Sequence, residues 1–234
     1  MIHVRNLTKR YTAHAVLEGL SFNANPDQVT LLVGANGVGK TTTLRILSGL
    51  MHPDAGDAFI LGRSIVRERR FAQARLSYLP QVIAFHPRLT CEAVLGFYAD
   101  LRGIARRGIP EILNRVGLAA HARKPAGQLS GGLRQRLGLG VFLLPDAPVL
   151  LLDEPGLSLD PEWRDRLVEI LQAEAQRGKT VLVTTHLLAE WEGVANRALL
   201  CRPGGVVTEI DPQHLRAEFT SLATSRLAHE PIAA

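Results

Sequence analysis

One stretch of eight residues limits what this chain can fold into. Gly34-Ala35-Asn36-Gly37-Val38-Gly39-Lys40-Thr41 satisfies the whole phosphate-loop pattern G-x-x-x-x-G-K-[ST]. It follows a β-branched apolar run, Val29-Thr30-Leu31-Leu32-Val33, that reads as a buried strand, and a helix is predicted from Lys40 to about Leu50, ended near Gly49 and Pro53. Each part of the pattern has a physical reason. Glycines let successive backbone N–H groups turn inward and surround phosphate oxygens. The following helix aims the positive end of its dipole at the same charge. Lys40 places a point charge on the phosphates, and the Thr41 hydroxyl is suited to join a magnesium shell.

Two further motifs carry chemistry. Val149-Leu150-Leu151-Leu152-Asp153-Glu154 puts two acids at the tip of an apolar run, where a carboxylate is unfavourable unless something uses its charge. Asp153 is placed to hold Mg²⁺, and Glu154 to orient and deprotonate an attacking water. Leu129-Ser130-Gly131-Gly132-Leu133-Arg134-Gln135-Arg136 opens a helix at a glycine pair, a second anion site by the same physics.

Between the motifs, strand and helix signals alternate, which implies an α/β fold around a mostly parallel sheet. Ile2 to Val4 and Gly19 to Asn23 read as strands of a separate antiparallel piece with a turn at Pro26-Asp27, and Leu76 to Leu79 as a further strand. A helical insertion is expected from about residue 84 to 140: Thr90 caps one helix running to about Arg102, Pro110 opens a second ending near Gly117, and Ser130 caps a third with Leu133, Leu137, Val141 and Leu144 on one stripe. Asp160-Pro161 starts another, with Trp163, Leu167, Ile170 and Leu171 inward. Thr180 to Thr185 is a strand, and Ala198 to Cys201 with Val206 to Glu209 bracket a turn at Pro203-Gly204-Gly205. The stretch from Glu218 to Ala234 is expected to fray.

In this order the motifs resemble those of the ATP-binding cassette (ABC) ATPases, and the resemblance runs from about Ile2 to Arg216. It implies a P-loop NTPase with a RecA-like core, an antiparallel β subdomain and an inserted helical subdomain. Residues 1–83 and 141–212 would form the core with its β subdomain, 84–140 the helical subdomain and 213–234 a tail. It implies two ATP molecules with Mg²⁺, sandwiched between two head-to-tail copies of the cassette. Carried over by motif, Gly34, Asn36, Gly37, Gly39, Lys40, Thr41 and Thr42 would bind the nucleotide, and Tyr11 would stack on adenine. Ser130, Gly131 and Gly132 would meet the γ-phosphate held by the partner copy, with Asp160 in the loop Ser158-Leu159-Asp160 that crosses the dimer interface. Thr41, Gln81 and Asp153 would serve the metal, while Glu154, His186 and Gln81 would act in hydrolysis. Departures from the family pattern are Gly156, where many members have threonine or serine, and Gly140, more often alanine.

Leu133 directly after the signature glycines is similar to an export branch of the family whose permease is a separate chain. The segments Phe85-His86-Pro87-Arg88-Leu89-Thr90 and Phe97-Tyr98-Ala99-Asp100-Leu101-Arg102-Gly103 resemble that branch, and within it the ATPase supporting copper-site maturation of nitrous-oxide reductase. The resemblance implies an integral-membrane permease as partner, docking beside the segment from Gln81 to Gly103, where Val82, Ile83 and Phe85 are expected to be exposed. The rival is a soluble ABC ATPase acting in cluster assembly.

Composition agrees with these expectations. Of 234 residues, 46% are hydrophobic and 21% charged, the balance of a chain that packs its own core. The longest nearly apolar stretch, Leu137 to Leu152, is broken by Pro145 and Asp146, and the start at Met1 lacks the apolar core of a secretory signal. Cys91 and Cys201 stand far apart without metal-type spacing. A cytoplasmic chain, peripheral on the inner face of the membrane, is expected. The net charge of +5 comes without any run of five or six like charges, so no nucleic acid is expected as partner.

Overall fold

The structure, a computed structural model, describes residues 1–11, 14–217 and 219. In chain order its elements are β1 (Ile2–Tyr11), β2 (His14–Ala24), β3 (Gln28–Val33), α1 (Lys40–Leu47), β4 (Ala55–Ile60), β5 (Arg63–Ser64), α2 (Arg69–Gln73) and β6 (Leu76–Leu79). There follow α3 (Cys91–Leu101), α4 (Ile109–Arg115), α5 (Gly131–Leu143), β7 (Val149–Asp153), α6 (Pro161–Gln176), β8 (Thr180–Thr184), β9 (Arg197–Cys201) and β10 (Val207–Ile210). Of the stretch expected to fray, only residue 219 lies among the described residues.

Two sheets form. One is four-stranded and antiparallel, in the order β2-β1-β4-β5; the other is six-stranded, in the order β10-β9-β3-β8-β7-β6. Within the second, β9, β3, β8, β7 and β6 run parallel and β10 closes the edge antiparallel. Its central strands β3, β8 and β7 are buried along almost their whole length because both faces are covered. Leu150 and Leu152 of β7 and Val181 and Val183 of β8 face one core with α3, α5 and α6. Val149, Leu151 and Leu182 face the other, shared with α1 and the antiparallel sheet. Strand periodicity thus divides one apolar run between two cores.

The helices start where their caps place them. Thr90 Oγ1 accepts the N–H of Ala93 at 3.2 Å, Ser130 Oγ that of Leu133 at 3.3 Å, and Asp160 Oδ1 that of Trp163 at 2.9 Å. The glycines of α5 have a packing reason. A Cβ on Gly138 would overlap Ile83, and one on Gly140 would crowd Ile112 at 3.3 Å and Leu95 at 3.4 Å. The helix can therefore lie close against its neighbours, which offsets the roughly 0.5–1 kcal/mol that a helical glycine forfeits. α5 continues three residues past position 140, where the sequence had suggested a subdomain seam.

A buried ion group ties the helical region to the core. Glu174 of α6, fully buried, accepts from Arg115 at the end of α4 and from Arg177, and pairs with Lys179. Burial pushes the Glu174 carboxyl up, but hydrogen bonds from Lys179 and Arg115, together with their charges, outweigh this and hold it below the usual carboxylate range.

Candidate functional site

The parallel register gathers the chemistry at one end of the six-stranded sheet. Asp153 ends β7 opposite Thr184, which ends β8; Thr184 is opposite Leu32 on β3, so the loop after Val33 opens beside both. Ligands of open α/β sheets sit at such carboxyl ends.

The phosphate loop has the backbone its glycines permit. Gly37 and Gly39 take φ of 84° and 97°, a region closed to most side chains. A Cβ on Gly34 would come within 2.6 Å of the Cys201 carbonyl, so only glycine lets the loop leave β3 here. Lys40 is buried, and its ammonium donates to the carbonyls of Gly34 at 2.7 Å and Ala35 at 3.1 Å. The lysine curls back over the loop mouth, so its charge stays in the cradle. Asn36 is exposed on the loop, and Thr41 and Thr42 occupy the first turn of α1.

Asp153, also buried, is held on one side only. The hydroxyls of Thr41 and Thr184 donate to its Oδ1, at 3.1 and 2.7 Å. Its Oδ2 is buried with no hydrogen-bond partner among the described residues, an arrangement that is unfavourable for a carboxylate unless a cation supplies the missing contact. Among the described residues oxygen atoms converge here, one carboxylate with the hydroxyls of Thr41 and Thr184, and Mg²⁺ is typically held by one or two carboxylates and substrate phosphates. The residues therefore fit that ion. Tyr78 lies near the same carboxylate: burial and the Asp153 charge push its phenol up to about 12, so it remains protonated.

Glu154 follows with φ of 49°. Its N–H donates to the carbonyl of Thr184 at 3.0 Å and to the Thr184 hydroxyl at 3.2 Å. Its Oε2 accepts the N–H of His186 at 3.2 Å and lies 2.9 Å from His186 Nδ1. Glu154 is buried while the His186 ring is half-exposed, so the pair faces outward through the imidazole.

The remaining sequence-derived residues are spread more widely. Gln81, exposed, follows β6, whose Leu79 pairs with Leu152, so it stands at the same sheet end as Asp153. Tyr11, at the exposed end of β1, sends its hydroxyl to the Met51 sulfur at 3.0 Å and lies on the β1–β2 hairpin whose Val16 and Leu17 pack against Gly39 of the phosphate loop. Ser130 and Gly131 are exposed at the start of α5, and Gly132 packs against Ser158; no hydrogen bond joins them to the phosphate loop among the described residues. Asp160 is engaged as the cap of α6. Ile83 and Phe85 differ from expectation. Both are half-buried against the core, Ile83 because Gly138 leaves a notch for it, whereas Val82 is 82% exposed. Beside them lies a groove of about 300 Å³ lined by Tyr78, Ile83, Phe85, Tyr98, Arg102 and Phe142.

Thr184 and Gln135 were not singled out from the sequence. Thr184 joins Asp153 to Glu154, and Gln135 of α5, buried, donates Nε2 to the Pro155 carbonyl at 2.9 Å. The signal for Thr184 was a hydroxyl at the end of an apolar strand beside the acid-tipped one.

Residues 17–156 match the family model described as ABC transporter. The chain is 37% identical over 218 residues to the Nod factor export ATP-binding protein I of Burkholderia pseudomallei (strain 1710b), covering 92% of this chain and 72% of that one. It superposes with a TM-score of 0.84 and 25% identity on the ATP-binding subunit of an ABC transporter, covering 97% of this chain and 99% of that one. With a TM-score of 0.82 and 23% identity it shares the fold of MJ0796, a bacterial ABC transporter cassette solved as a dimer, covering 91% of this chain and 99% of that one. The converged phosphate loop and acid pair thus stand in a fold and a sequence that agree on their origin: the chain belongs to the ABC transporter family, as one of its ATP-hydrolysing cassettes.

Proposed function

We propose that this chain is the ATPase subunit of an exporter, acting as a head-to-tail pair of cassettes under a separate membrane permease. The observation that carries the reading is Glu154, a buried carboxylate held on His186 beside an Asp153 oxygen that lacks a partner among the described residues. The loop N–H groups and Lys40 hold the β- and γ-phosphates, and the exposed Tyr11 ring offers a face to the adenine. Thr41, Asp153 and Gln81 would hold Mg²⁺, which when bound would neutralise charge developing on the phosphates. Glu154 takes a proton from the attacking water as its oxygen bonds to the γ-phosphorus and the bond to the ADP oxygen breaks. His186 keeps the Glu154 carboxylate aimed by two contacts to one oxygen.

Support for pairing comes from the dimeric MJ0796 cassette, and support for export from the Nod factor export relative. Ser130 and Gly131, exposed at a helix start, and the half-buried Gly132 beside them make no hydrogen bond to this chain's own phosphate loop among the described residues, and then serve the partner's nucleotide, with Asp160 at the interface. The division into 1–83 with 141–212, 84–140 and 213–234 belongs to the same proposal, with α5 crossing its second seam. None of the relatives reported above supports the copper-site likeness or the cluster-assembly rival, and neither is carried forward. Among the described residues no helix is long and apolar enough to cross a membrane. Placement on the cytoplasmic face therefore rests on a permease partner. Purifying the tagged chain from native membranes tests this: a multi-span membrane protein that co-purifies and exports solute on ATP addition is expected, and a chain that hydrolyses ATP without any membrane partner would overturn the transporter reading.

A further inference from the structure

Glu154 occupies a backbone conformation that its successor opposes. Its φ of 49° lies in the left-handed region, and Pro155 crowds the residue before it away from helical conformations. Such a backbone persists only where its surroundings over-determine it. On the N-terminal side Thr184 accepts the Glu154 N–H through both its carbonyl and its hydroxyl. On the other side Pro155 has no N–H to offer, so its carbonyl is the one polar handle on that residue's backbone. Gln135 takes it with a 2.9 Å hydrogen bond between two buried residues.

Gln135 lies about one turn into the helix that Ser130 caps. That helix and the loop after Glu154 meet again where a Cβ on Gly132 would stand 3.1 Å from the Ser158 carbonyl. The helix α6, which follows the loop, is tied to both: Arg164 Nε donates to the Leu159 carbonyl at 3.0 Å, and the Arg136 guanidinium of α5 stacks 3.8 Å from the centre of the Trp163 ring. The first turns of α5, the loop 155–159 and the start of α6 therefore form one connected set of contacts.

We propose that Gln135 is a positioning residue for hydrolysis, tying the residue that follows Glu154 to the helix that carries the signature glycines. The proposal rests on the reading above in which those glycines meet the partner's nucleotide. A nucleotide held by the partner fixes the start of α5, and the Gln135 amide passes that constraint to the acid of this chain's own site. The two ATP sites then become positively coupled, each aiming the acid of the other.

The test compares Gln135→Glu, equal in size but opposing a second acceptor to the Pro155 carbonyl, with the apolar Gln135→Met, each alone and combined with Glu154→Gln. The full chain is assayed for kcat, KM for ATP, Hill coefficient and thermal unfolding. A lost hydrogen bond that leaves a buried partner unsatisfied corresponds to roughly a ten- to hundredfold change, and a fall of that size is expected in kcat. KM should hold, the Hill coefficient should drop toward one, and no further loss should appear in the Glu154→Gln background. Unchanged kcat and Hill coefficient in both single variants would overturn the proposal. So would a fall that raises KM alike, or that persists at full size beside Glu154→Gln, since both mark a merely structural role. Full turnover by Glu154→Gln alone would instead overturn the assignment of the acid on which the proposal rests.

Discussion

Thr184 and Asp153 face each other across two parallel strands, and the threonine hydroxyl donates to Asp153 Oδ1 at 2.7 Å while also accepting the N–H of Glu154. One side chain thus orients both acids. Thr184→Val keeps the shape and removes both contacts. Leaving a buried acceptor short of a donor should destabilise the fold by about 1–3 kcal/mol. The Mg²⁺ concentration for half-maximal activity should rise. Urea unfolding and a Mg²⁺ titration of ATPase activity check this.

Lys40 is the cation at the mouth of the phosphate loop. Hydrogen bonds to charged groups contribute about 1.5–3 kcal/mol, so Lys40→Ala should weaken ATP binding roughly ten- to a hundredfold. Isothermal calorimetry measures the affinity, and a parallel assay should find no turnover.

Exposed apolar side chains beside the groove give a separable prediction. Phe97 is 52% exposed and Val82 82%, so an aspartate at either position meets solvent in the isolated chain. Val82→Asp and Phe97→Asp should leave the melting temperature and ATP binding unchanged while abolishing co-purification with the permease proposed above. Phe85→Asp should instead lower the melting temperature, because Phe85 packs edge-on against Tyr98 and against the core.

Glu174 sets an acid limit. Its carboxyl is held below the ordinary value, so the ion group contributes stability that is present above the ordinary carboxylate pKa and lost as pH falls through the lowered one. Glu174→Gln should flatten the acid side of a stability-against-pH curve measured by urea midpoints. Arg115→Met leaves Glu174 with Arg177 and Lys179. Its cost should therefore be about 1–3 kcal/mol, below the roughly 3–5 of a buried charge left alone.

What could be read along the chain was local. The phosphate loop, the acid-tipped strand and the three capped helices each announce themselves within a few residues, and all form as expected. What escaped depends on partners distant in sequence. β4 carries Gly56 and Asp57, poor strand formers, and exists because β1 offers it an edge from Ile2 to Arg5. Thr184 reaches Asp153 through strand register, and Gln135 reaches Pro155 through helix packing; neither leaves a local pattern. Ile83 and Phe85 read as exposed because the notch that receives Ile83 is an absence, the missing side chain of Gly138.

The assignment of Glu154 as the base is tested most directly by Glu154→Gln, which keeps size and polarity and removes the proton acceptor. Loss of a general base lowers a rate by roughly 10²–10⁴-fold. The measurement is single-turnover hydrolysis of ATP with Mg²⁺ by this variant, with light scattering on the same sample. Hydrolysis slowed to that degree, ATP affinity equal to the parent chain's and a mass shifted to that of a pair would bear out the reading; hydrolysis at the parent rate would contradict it.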